Sequence, residues 1–365
     1  MSKKDIEVKR TSIGGQALIE GVMMRGPRKT SMAVRHTSGE IRMDSWEREE
    51  GIHKAFYWKT PFIRGIFNFV DSLILGYRCL MKSVDMSGLG DEEAEELENR
   101  EKAKEQKKAI KEAKKKGLTL EEYQQSQKES VSEDSETEED AEKTDEKKPK
   151  KLSDTLLYSV IMIISSVLGV GLGIVLFMWL PIVVYSSLKN VNVLPDNRFL
   201  QSFFEGIIRI VIFIVYISLT ALMKDIRRVY QYHGAEHKTI FCYEHGKELT
   251  VENVREESRF HPRCGTSFMI LMLLIGIFIS MLIPTNIYTW LRASIKILLL
   301  PIVMGIGYEA IKLAGRKDNW FTKAISKPGM WVQHITTKEP TDDMIECAIA
   351  AFKDVIPENE DEDKW

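Results

Sequence analysis

Two histidines and a glutamate lie close together in the segment 232–237, which reads Tyr-His-Gly-Ala-Glu-His. On a helix, His233 and His237 lie one turn apart on the same face, with Glu236 beside them. This His-x-x-Glu-His order is the inverse of the His-Glu-x-x-His zinc-peptidase signature. In such sites two neutral imidazoles bind a divalent ion, here expected to be zinc, and the carboxylate accepts a proton from water. The spacing alone fits either this metal site or a plain polar helix face, and the further histidines and cysteines nearby favour the metal site, with Glu236 as the candidate catalytic base.

A second group of candidate ligands follows a short way along the chain. His261-Pro262-Arg263-Cys264 places a histidine three residues before a cysteine, a spacing that suits metals with soft ligands. The whole segment 232–264 holds four of the seven histidines and two of the four cysteines of the chain. If the chain folds back so that His261 and Cys264 approach the first pair, two plus two ligands complete a tetrahedron.

The number of ligands decides what such a site does. Four protein ligands close the coordination sphere and give a structural site, whereas three leave a position for water. With three ligands, Glu236 has a water molecule to activate. With four, it orients an imidazole from outside the coordination sphere. The sequence leaves both possibilities open.

Charged residues within apolar stretches are further candidates, because such groups are costly there and often functional. Glu309, in the last apolar stretch, is a candidate third metal ligand or proton carrier; a pair with Lys312, one turn away, is the alternative. Glu205 and Arg209 are also one turn apart, and we expect them to pair with each other.

Composition indicates which classes of protein to consider. Hydrophobic residues make up 44% of the 365 residues and charged residues 28%, and the two classes are segregated along the chain. The net charge of −2 is the balance of acidic and basic blocks, so it does not indicate nucleic-acid binding. The four cysteines lack paired spacing and do not predict a disulfide framework.

The N-terminal part predicts a small α+β module over residues 1–60. Glycines bracket apolar residues in the segment 14–27, which favours tight turns. Two short strands, 31–36 and 40–46, flank a Thr-Ser-Gly turn and predict a hairpin. A polar stripe then recurs at helical spacing over 61–88, which predicts an amphipathic helix that lies in the membrane interface or packs within the bilayer; we favour the interface.

The middle of the chain predicts a charged spacer followed by a membrane domain. Within residues 89–152 the segment 91–150 has 35 charged residues out of 60, so the region is predicted to be disordered. Residues 153–314 then predict four transmembrane helices, because a bilayer core of ~30 Å needs only ~20 apolar residues. These spans are 155–188, 199–223, 266–283 and 293–314. The excess length of the first is accommodated either by tilt or by a break near its glycines or Pro181.

Basic residues predict the orientation of these spans. They concentrate before the first span, in the His-rich segment 224–266, and after the last span. By the positive-inside rule those three regions are cytoplasmic, as are both termini. A tail over 315–356 carries a predicted helix from Asp342, whose apolar stripe should dock on the rest of the protein, and 357–365 forms an acidic stub.

Together these features predict an α-helical integral membrane protein of the cell membrane. It has about four transmembrane helices, a small α+β cytoplasmic N-terminal module and a cytoplasmic helical tail. The predicted partners are the lipid bilayer and a membrane-protein or peptide substrate, with no nucleic acid.

Several of these segments are similar to one known family. Residues 14–27 (GGQALIEGVMMRGP), 232–240 (YHGAEHKTI), 259–267 (RFHPRCGTS) and 336–340 (TTKEP) resemble the YqhQ-like family of bacterial multi-pass membrane proteins. That family is uncharacterised and is described as a group of predicted metal-dependent enzymes. The resemblance implies a membrane location and a metal-dependent role, and it covers nearly the whole chain except the charged insert 91–150.

Three functions are compatible with these observations. The first is a membrane-bound, peptidase-like metal hydrolase, with His233 and His237 as ligands, a third from Cys264, His261 or Glu309, and Glu236 as base. These five candidate ligands and the one candidate base are the predicted site. The second is a non-enzymatic assembly factor or scaffold with a structural metal. The third, a transporter, is least favoured, since no internal repeat is visible.

Overall fold

The architecture is taken from a computed structural model of the chain. It describes residues 10–48, 58, 60–90, 110, 164–191, 193, 197–284, 287–316 and 319–363. The charged insert 89–152, apart from residues 89, 90 and 110, and the start of the first predicted span lie outside the described residues. Two compact units are distinguished, Met1–Ser87 with Leu168–Trp365, and Gly88–Val167; all of the packing described below lies within the first.

The N-terminal module is a four-stranded antiparallel sheet in the order β1-β2-β3-β4. Its strands are β1 (Gly14–Leu18), β2 (Gly21–Arg25), β3 (Lys29–Arg35) and β4 (Ile41–Glu47). The predicted hairpin is confirmed as β3 and β4. The β1–β2 turn places Glu20 at a positive φ of 51°, and a Cβ on the next residue, Gly21, would lie 2.3 Å from the Ala33 carbonyl oxygen. This close approach of β2 to β3 requires glycine at position 21.

Ten helices are described after the sheet, and several of them are apolar. They are α1 (Ile63–Ser87), α2 (Ile164–Asn190), α3 (Arg198–Thr220), α4 (Lys224–Glu244), α5 (Val251–Glu256), α6 (Gly265–Ser280), α7 (Thr289–Leu298), α8 (Leu300–Arg316), α9 (Trp320–Thr336) and α10 (Asp342–Val355). A short 3-10 turn, Glu360–Asp363, follows. The fold is therefore mostly helical, with one small sheet near its N-terminus.

Helix α1 packs through a face of small residues and leaves an apolar face exposed. Near its start, Gly65 allows close approach to Tyr308 of α8, and farther along, Gly76 contacts the Gln16 side chain of β1. Cys79 is buried against apolar side chains of the sheet. The outward face carries Phe67, Val70, Ile74 and Tyr77, all exposed. Since helical positions three and four apart share a face, these residues form one apolar stripe.

The opposite face of the sheet packs on α4 and α10. Helix α10 buries the apolar stripe predicted from the sequence, and its members lie in one core with residues of β2, β3 and α4. The buried residues of that stripe are Met344, Ile345, Ala348, Ile349 and Phe352. The tail helix therefore docks as expected, and the sheet is a middle layer between α1 and the α4–α10 pair.

The C-terminal end differs from the predicted acidic stub. Asp363 is fully buried and accepts hydrogen bonds from the Thr11 hydroxyl at 2.5 Å and the Ser12 amide at 3.0 Å. A buried carboxylate needs such partners, because an unpaired one is costly. This contact ties the end of the chain to the start of the sheet, and composition alone did not predict it.

Within the part of the chain that the structure describes, the apolar helices provide fewer candidate spans than the four expected. Two helices, Ile164–Asn190 and Phe199–Thr220, are long and apolar enough to cross a membrane. Thr289–Leu298 and Leu300–Leu313 are long and apolar enough only when taken together, as a pair of helices bent by 42°. If this pair is one span, the number of candidate spans is three. Gly265–Ser280 has 16 residues and therefore spans only about 24 Å, less than a bilayer core of ~30 Å.

Candidate metal centre

Three of the predicted ligands meet at the junction of α4 and α6. One ligand atom from each of His233, His237 and Cys264 lies within 4.8 Å of the others. The His233 Nε2 is 3.2 Å from the Cys264 Sγ, and the two imidazole centroids are 4.4 Å apart. We call these three residues the histidine–cysteine cluster. It forms because the chain leaves α4 and returns through the 257–264 loop to the start of α6.

Backbone carbonyls orient both imidazoles. The His233 Nδ1 is 2.9 Å from the Thr336 carbonyl oxygen, and the His237 Nδ1 is 2.6 Å from the Arg259 carbonyl oxygen. Each Nδ1 is therefore a protonated donor, so Nε2 is the ring atom that would bind a metal ion. The His237 Nε2 is buried and has no hydrogen-bond partner among the described residues.

The small residues between the two histidines have a packing role. A Cβ on Gly234 would lie 2.0 Å from the carbonyl oxygen of Lys338, so glycine permits the segment after α9 to cross α4 at this point. The Lys338 amide donates to the Tyr230 carbonyl at 2.8 Å. Ala235 is fully buried in the core beneath. The middle of the motif thus fixes the segment whose Thr336 carbonyl orients His233.

Cys264 has the environment of a thiolate. Its side chain caps the N-terminus of α6, where Sγ accepts from the Thr266 amide at 3.4 Å. Burial on its own would raise the pKa of this thiol, but His233 and His237 hold it well below its usual value. The exposed N–H groups at a helix N-terminus favour negative charge in the same way. A thiolate is the form that binds metal ions.

The same pair changes His233 in the opposite sense. Burial would lower the pKa of His233, but the adjacent Cys264 sulfur and the Glu236 carboxylate raise it to about 9. Without a metal ion, the cluster is therefore an imidazolium–thiolate pair at neutral pH. A metal ion would take the place of that proton.

Glu236 lies beside the cluster, on the side of the sheet. It is 5% exposed, and the Gly15 backbone amide of β1 donates to its carboxylate. Burial raises the pKa of Glu236 against the opposing effect of the two imidazoles. Its Oε2 atom has no hydrogen-bond partner among the described residues. One oxygen is therefore held by the backbone and the other is available.

His261 does not belong to the cluster. Its Nε2 lies 3.8 Å from a Glu244 carboxylate oxygen and 3.4 Å from an Arg263 nitrogen, and its ring centroid is 5.5 Å from that of His237. Burial lowers the pKa of His261 to about 4, so the ring is neutral. Arg263 also pairs with Glu244 directly. In place of the predicted two-plus-two arrangement, the structure brings together three candidate ligands with a neighbouring ion pair.

The structure also places Glu309 away from the cluster. Its carboxylate accepts two hydrogen bonds from the Arg64 guanidinium of α1, one of them at 2.7 Å, and a third from the Phe62 amide. These contacts differ from the predicted metal role, whereas the alternative partner, Lys312, does interact electrostatically with the carboxylate. An arginine from a helix more than two hundred residues earlier satisfies the carboxylate, and no local spacing could indicate it.

Two residues that support the site were missed by sequence reasoning. Gln333 of α9 is fully buried; it accepts from the His261 amide at 2.8 Å and donates to the His261 carbonyl at 2.7 Å. Glu244 holds both Arg263 and the Thr11 amide. No sequence signal indicated Gln333 or Glu244. For the supporting residue Thr336, whose carbonyl orients His233, the signal was the similarity of residues 336–340 to a known family.

A cavity approaches the site from the edge of the sheet. It has a volume of about 440 Å³ and includes Gly15, whose amide contacts Glu236, together with Arg25 and Arg48. Arg25 pairs with Asp71 at 2.7 Å, and Arg48 donates to the Gly26 carbonyl at 3.2 Å. The cavity therefore lies between the sheet and α1, and the Gly15 backbone amide is its link to Glu236.

Comparison with known proteins identifies the family. The sequence matches the family described as "Protein of unknown function (DUF1385)" over residues 60–358. The chain belongs to the DUF1385 family. It is 30% identical to "Uncharacterized protein YqhQ" of Bacillus subtilis over 344 residues, which cover 94% of this chain and 92% of that protein. No solved structure matches it. The resemblance to YqhQ-like proteins is thus confirmed, and the DUF1385 match includes every residue of the histidine–cysteine cluster.

The donor atoms of this DUF1385 protein suit zinc. Two imidazole nitrogens and one thiolate are the ligand types that zinc prefers, and three protein ligands with one open position are typical of catalytic zinc sites. The imidazole orientation by carbonyl groups is the usual support for such ligands. The unpartnered Nε2 of His237 is a buried nitrogen whose lone pair a metal ion would satisfy.

Proposed function

We propose that the protein is a membrane-embedded, zinc-dependent hydrolase of the peptidase type. The observation that carries this proposal is the histidine–cysteine cluster with Glu236 beside it: three ligands rather than four, and a carboxylate with one available oxygen. His233, His237 and Cys264 would hold the zinc ion. A bound zinc ion supplies Lewis-acid activation of water and of a substrate carbonyl group.

Glu236 is the residue that moves the proton. A carboxyl group whose pKa is raised by burial is a stronger base than an exposed one, and efficient proton transfer needs a pKa near the working pH. The Gly15 amide holds one carboxylate oxygen, so that Oε2 accepts the proton from water and then passes it to the leaving amine.

The proposal places the site at the cytoplasmic face of the cell membrane. Helix α3 is apolar and long enough to span, and α4 follows it after a turn at residues 221–223. Basic residues cluster at the start of α4 and in the 255–263 segment. By the positive-inside rule this part of a multi-pass protein, and with it the histidine–cysteine cluster and both termini, would be cytoplasmic.

The cavity that includes Gly15 supports a peptide as the substrate class. Its volume of about 440 Å³ lies in the ~300–1,000 Å³ range of ligand pockets. Arg25 and Arg48 on its wall would attract a carboxylate of a peptide or of a membrane protein's terminal segment.

The experiment that tests this proposal separates metal binding from hydrolysis. Purified full-length protein, Glu236→Gln and the control His245→Ala are assayed for zinc content and for cleavage of a fluorogenic peptide library. His245 suits the control because it pairs with Glu257 at 2.8 Å, outside the cluster. We expect all three to keep zinc and Glu236→Gln alone to lose cleavage. Equal cleavage by wild type and Glu236→Gln would reject Glu236 as the base.

A second candidate function is a non-enzymatic assembly factor whose cytoplasmic part is held by a structural zinc ion. The observation that favours it is burial: His237 is 1% exposed and Cys264 is 7% exposed. In that case the same assay would show zinc but no cleavage by any of the three proteins. Loss of zinc would then unfold the cytoplasmic part instead of stopping a reaction.

A further inference from the structure

A second cavity lies among the apolar helices, and none of its lining residues belongs to the histidine–cysteine cluster. It has a volume of about 420 Å³, and α2, α3, α6 and α8 contribute most of its wall. Apolar side chains dominate that wall, among them Phe177, Phe213, Met272, Leu273 and Val303. Two cations, Arg209 and Lys296, are the exceptions at its edge.

These two cations belong to a buried charged group that we call the Glu205 cluster: Glu205, Arg209, Arg292 and Lys296. The Glu205 carboxylate accepts from Arg292 at 2.5 Å and from Lys296 at 2.7 Å. Arg209 instead donates its Nε to the Phe177 carbonyl oxygen at 2.7 Å. The expected pair between Glu205 and Arg209 is therefore wrong: the carboxylate is taken by two cations from α7.

The Glu205 cluster carries more positive than negative charge. Three cations against one carboxylate leave a formal charge of +2, and Glu205 is the only acidic residue in α2, α3, α6 and α7. Arg292 is 2% exposed, and its Nε has no hydrogen-bond partner among the described residues. Buried charge of one sign is expensive unless it is compensated. The cluster thus lacks an anion.

The helix that lines the cavity is distorted at the same place. Val175–Trp179 of α2 forms a π-helical turn, and Pro181 follows it. Such a turn breaks the regular pattern of backbone hydrogen bonds, and π turns occur frequently at functional sites. Here the carbonyl of Phe177, in the middle of the turn, accepts from Arg209. The turn thereby positions Arg209 at the edge of the apolar cavity.

We propose that this cavity binds one anionic amphiphile, a molecule with an alkyl chain and an acidic head group. The chain lies along the apolar wall, and the head group sits at Arg209 and Lys296, where it supplies the missing negative charge. The volume of about 420 Å³ suits a single ligand of this kind. A fatty acid and an anionic phospholipid share this chemistry. This site does not depend on the zinc-hydrolase proposal, because it shares no residue with the histidine–cysteine cluster.

Glycine 276 provides a direct test of the cavity. It lines the cavity, and a Cβ built there meets no atom within 4 Å, so a large side chain would fill the space without a backbone clash. Gly276→Phe is therefore the blocking variant and Gly276→Ala its small control. Gly171→Phe, on an exposed and equally open position of α2, controls for adding a phenyl ring to an apolar helix.

The assay is equilibrium binding of radiolabelled palmitate, phosphatidylglycerol and hexadecanol to the full-length protein in detergent. We expect saturable binding of palmitate or phosphatidylglycerol at one molecule per chain, with hexadecanol about tenfold weaker, since it lacks the charge that Lys296 and Arg209 pair with. Gly276→Phe should lose tenfold or more, and both controls should match wild type. Lys296→Gln should weaken palmitate but not hexadecanol.

Tighter palmitate binding would identify a free fatty acid as the ligand, and tighter phosphatidylglycerol binding a membrane lipid. Equal affinity for palmitate and hexadecanol would overturn the proposal, because the charge would then not be recognised. Wild-type binding by Gly276→Phe would overturn it as well, because the ligand would then lie outside the cavity.

Discussion

The histidine–cysteine cluster and the Glu205 cluster are both buried polar groups, but they suit ligands of opposite charge. The first suits a cation and the second suits an anion. The first gathers lone pairs from His233, His237 and Cys264 and leaves buried acceptor atoms without partners. The second gathers cations around one carboxylate and leaves a buried donor, the Arg292 Nε, without a partner. We infer from this difference that buried atoms without partners, taken with the charge around them, indicate the class of ligand: a metal cation at the first cluster and an anion at the second.

Removing a ligand of the histidine–cysteine cluster should have the largest effect. We expect Cys264→Ala to weaken zinc binding by more than about 100-fold, because replacing even a residue that merely orients a ligand costs ~10–100-fold. Competition with a chromogenic chelator measures this affinity. His261→Ala is the matched comparison, since the structure directs His261 to Glu244 instead of the cluster. An equal loss of zinc affinity in His261→Ala would make it a fourth ligand and favour a structural site.

Removing the one carboxylate of the Glu205 cluster should come next. Glu205→Gln leaves Arg292 and Lys296 buried without their anion, and such changes cost about 3–5 kcal/mol in the free energy of unfolding. Thermal unfolding in detergent measures the loss. Lys82→Ala removes the Lys82–Asp44 pair at the surface, where Lys82 is half exposed, and should cost under about 1 kcal/mol. Similar losses in both variants would mean that the cluster is less dependent on Glu205 than its contacts indicate.

A smaller effect is expected at the crossing of α4 and the segment after α9. Gly234→Ala would place a Cβ 2.0 Å from the Lys338 carbonyl oxygen, so the backbone must shift. We expect a loss of about 1–3 kcal/mol in the free energy of unfolding and weaker zinc binding, since the shift moves the Thr336 carbonyl from His233. Gly276→Ala, in open space, is the control and should be neutral or slightly stabilising. A Gly234→Ala variant as stable as wild type would contradict the close crossing.

The smallest effect, about 1.4 kcal/mol for each pH unit, is a pH dependence that only the histidine–cysteine cluster should show. Without zinc, His233 keeps its proton up to a pKa of about 9, whereas Cys264 has already lost its own. Zinc must displace the His233 proton, so its affinity should rise about tenfold per pH unit from pH 7 and level off near pH 9. Zinc titrations at pH 7 and 8 test this. A flat profile would mean that no proton is displaced.

Local patterns predicted the elements of this fold better than their partners. Helical spacing placed His233 and His237 on one face, a Thr-Ser-Gly turn between two short strands placed the β3–β4 hairpin, and a periodic stripe placed the buried face of α10. These signals depend on residues within one or two turns of each other. Four spans were predicted, and the described residues provide two or three candidates. Hydropathy registers neither the bend between α7 and α8 nor the shortness of α6.

Partners across helices left no such local signal. Glu309 pairs with Arg64, and Glu205 pairs with Arg292 and Lys296, each more than eighty residues away in the chain. The His261 side chain was expected in the metal site because it precedes Cys264 by three residues. It turns instead to Glu244, a buried residue that the sequence alone does not distinguish from an exposed glutamate. Choosing among such pairings requires the packing of the whole fold.

Zinc K-edge X-ray absorption on the purified full-length protein tests the central claim most directly, because it reports the atoms bound to the ion. A site built from His233, His237 and Cys264 predicts two imidazole nitrogens at about 2.0–2.1 Å, one sulfur at about 2.3 Å and one further light atom. A zinc spectrum without a sulfur ligand, or with a third imidazole, would contradict it.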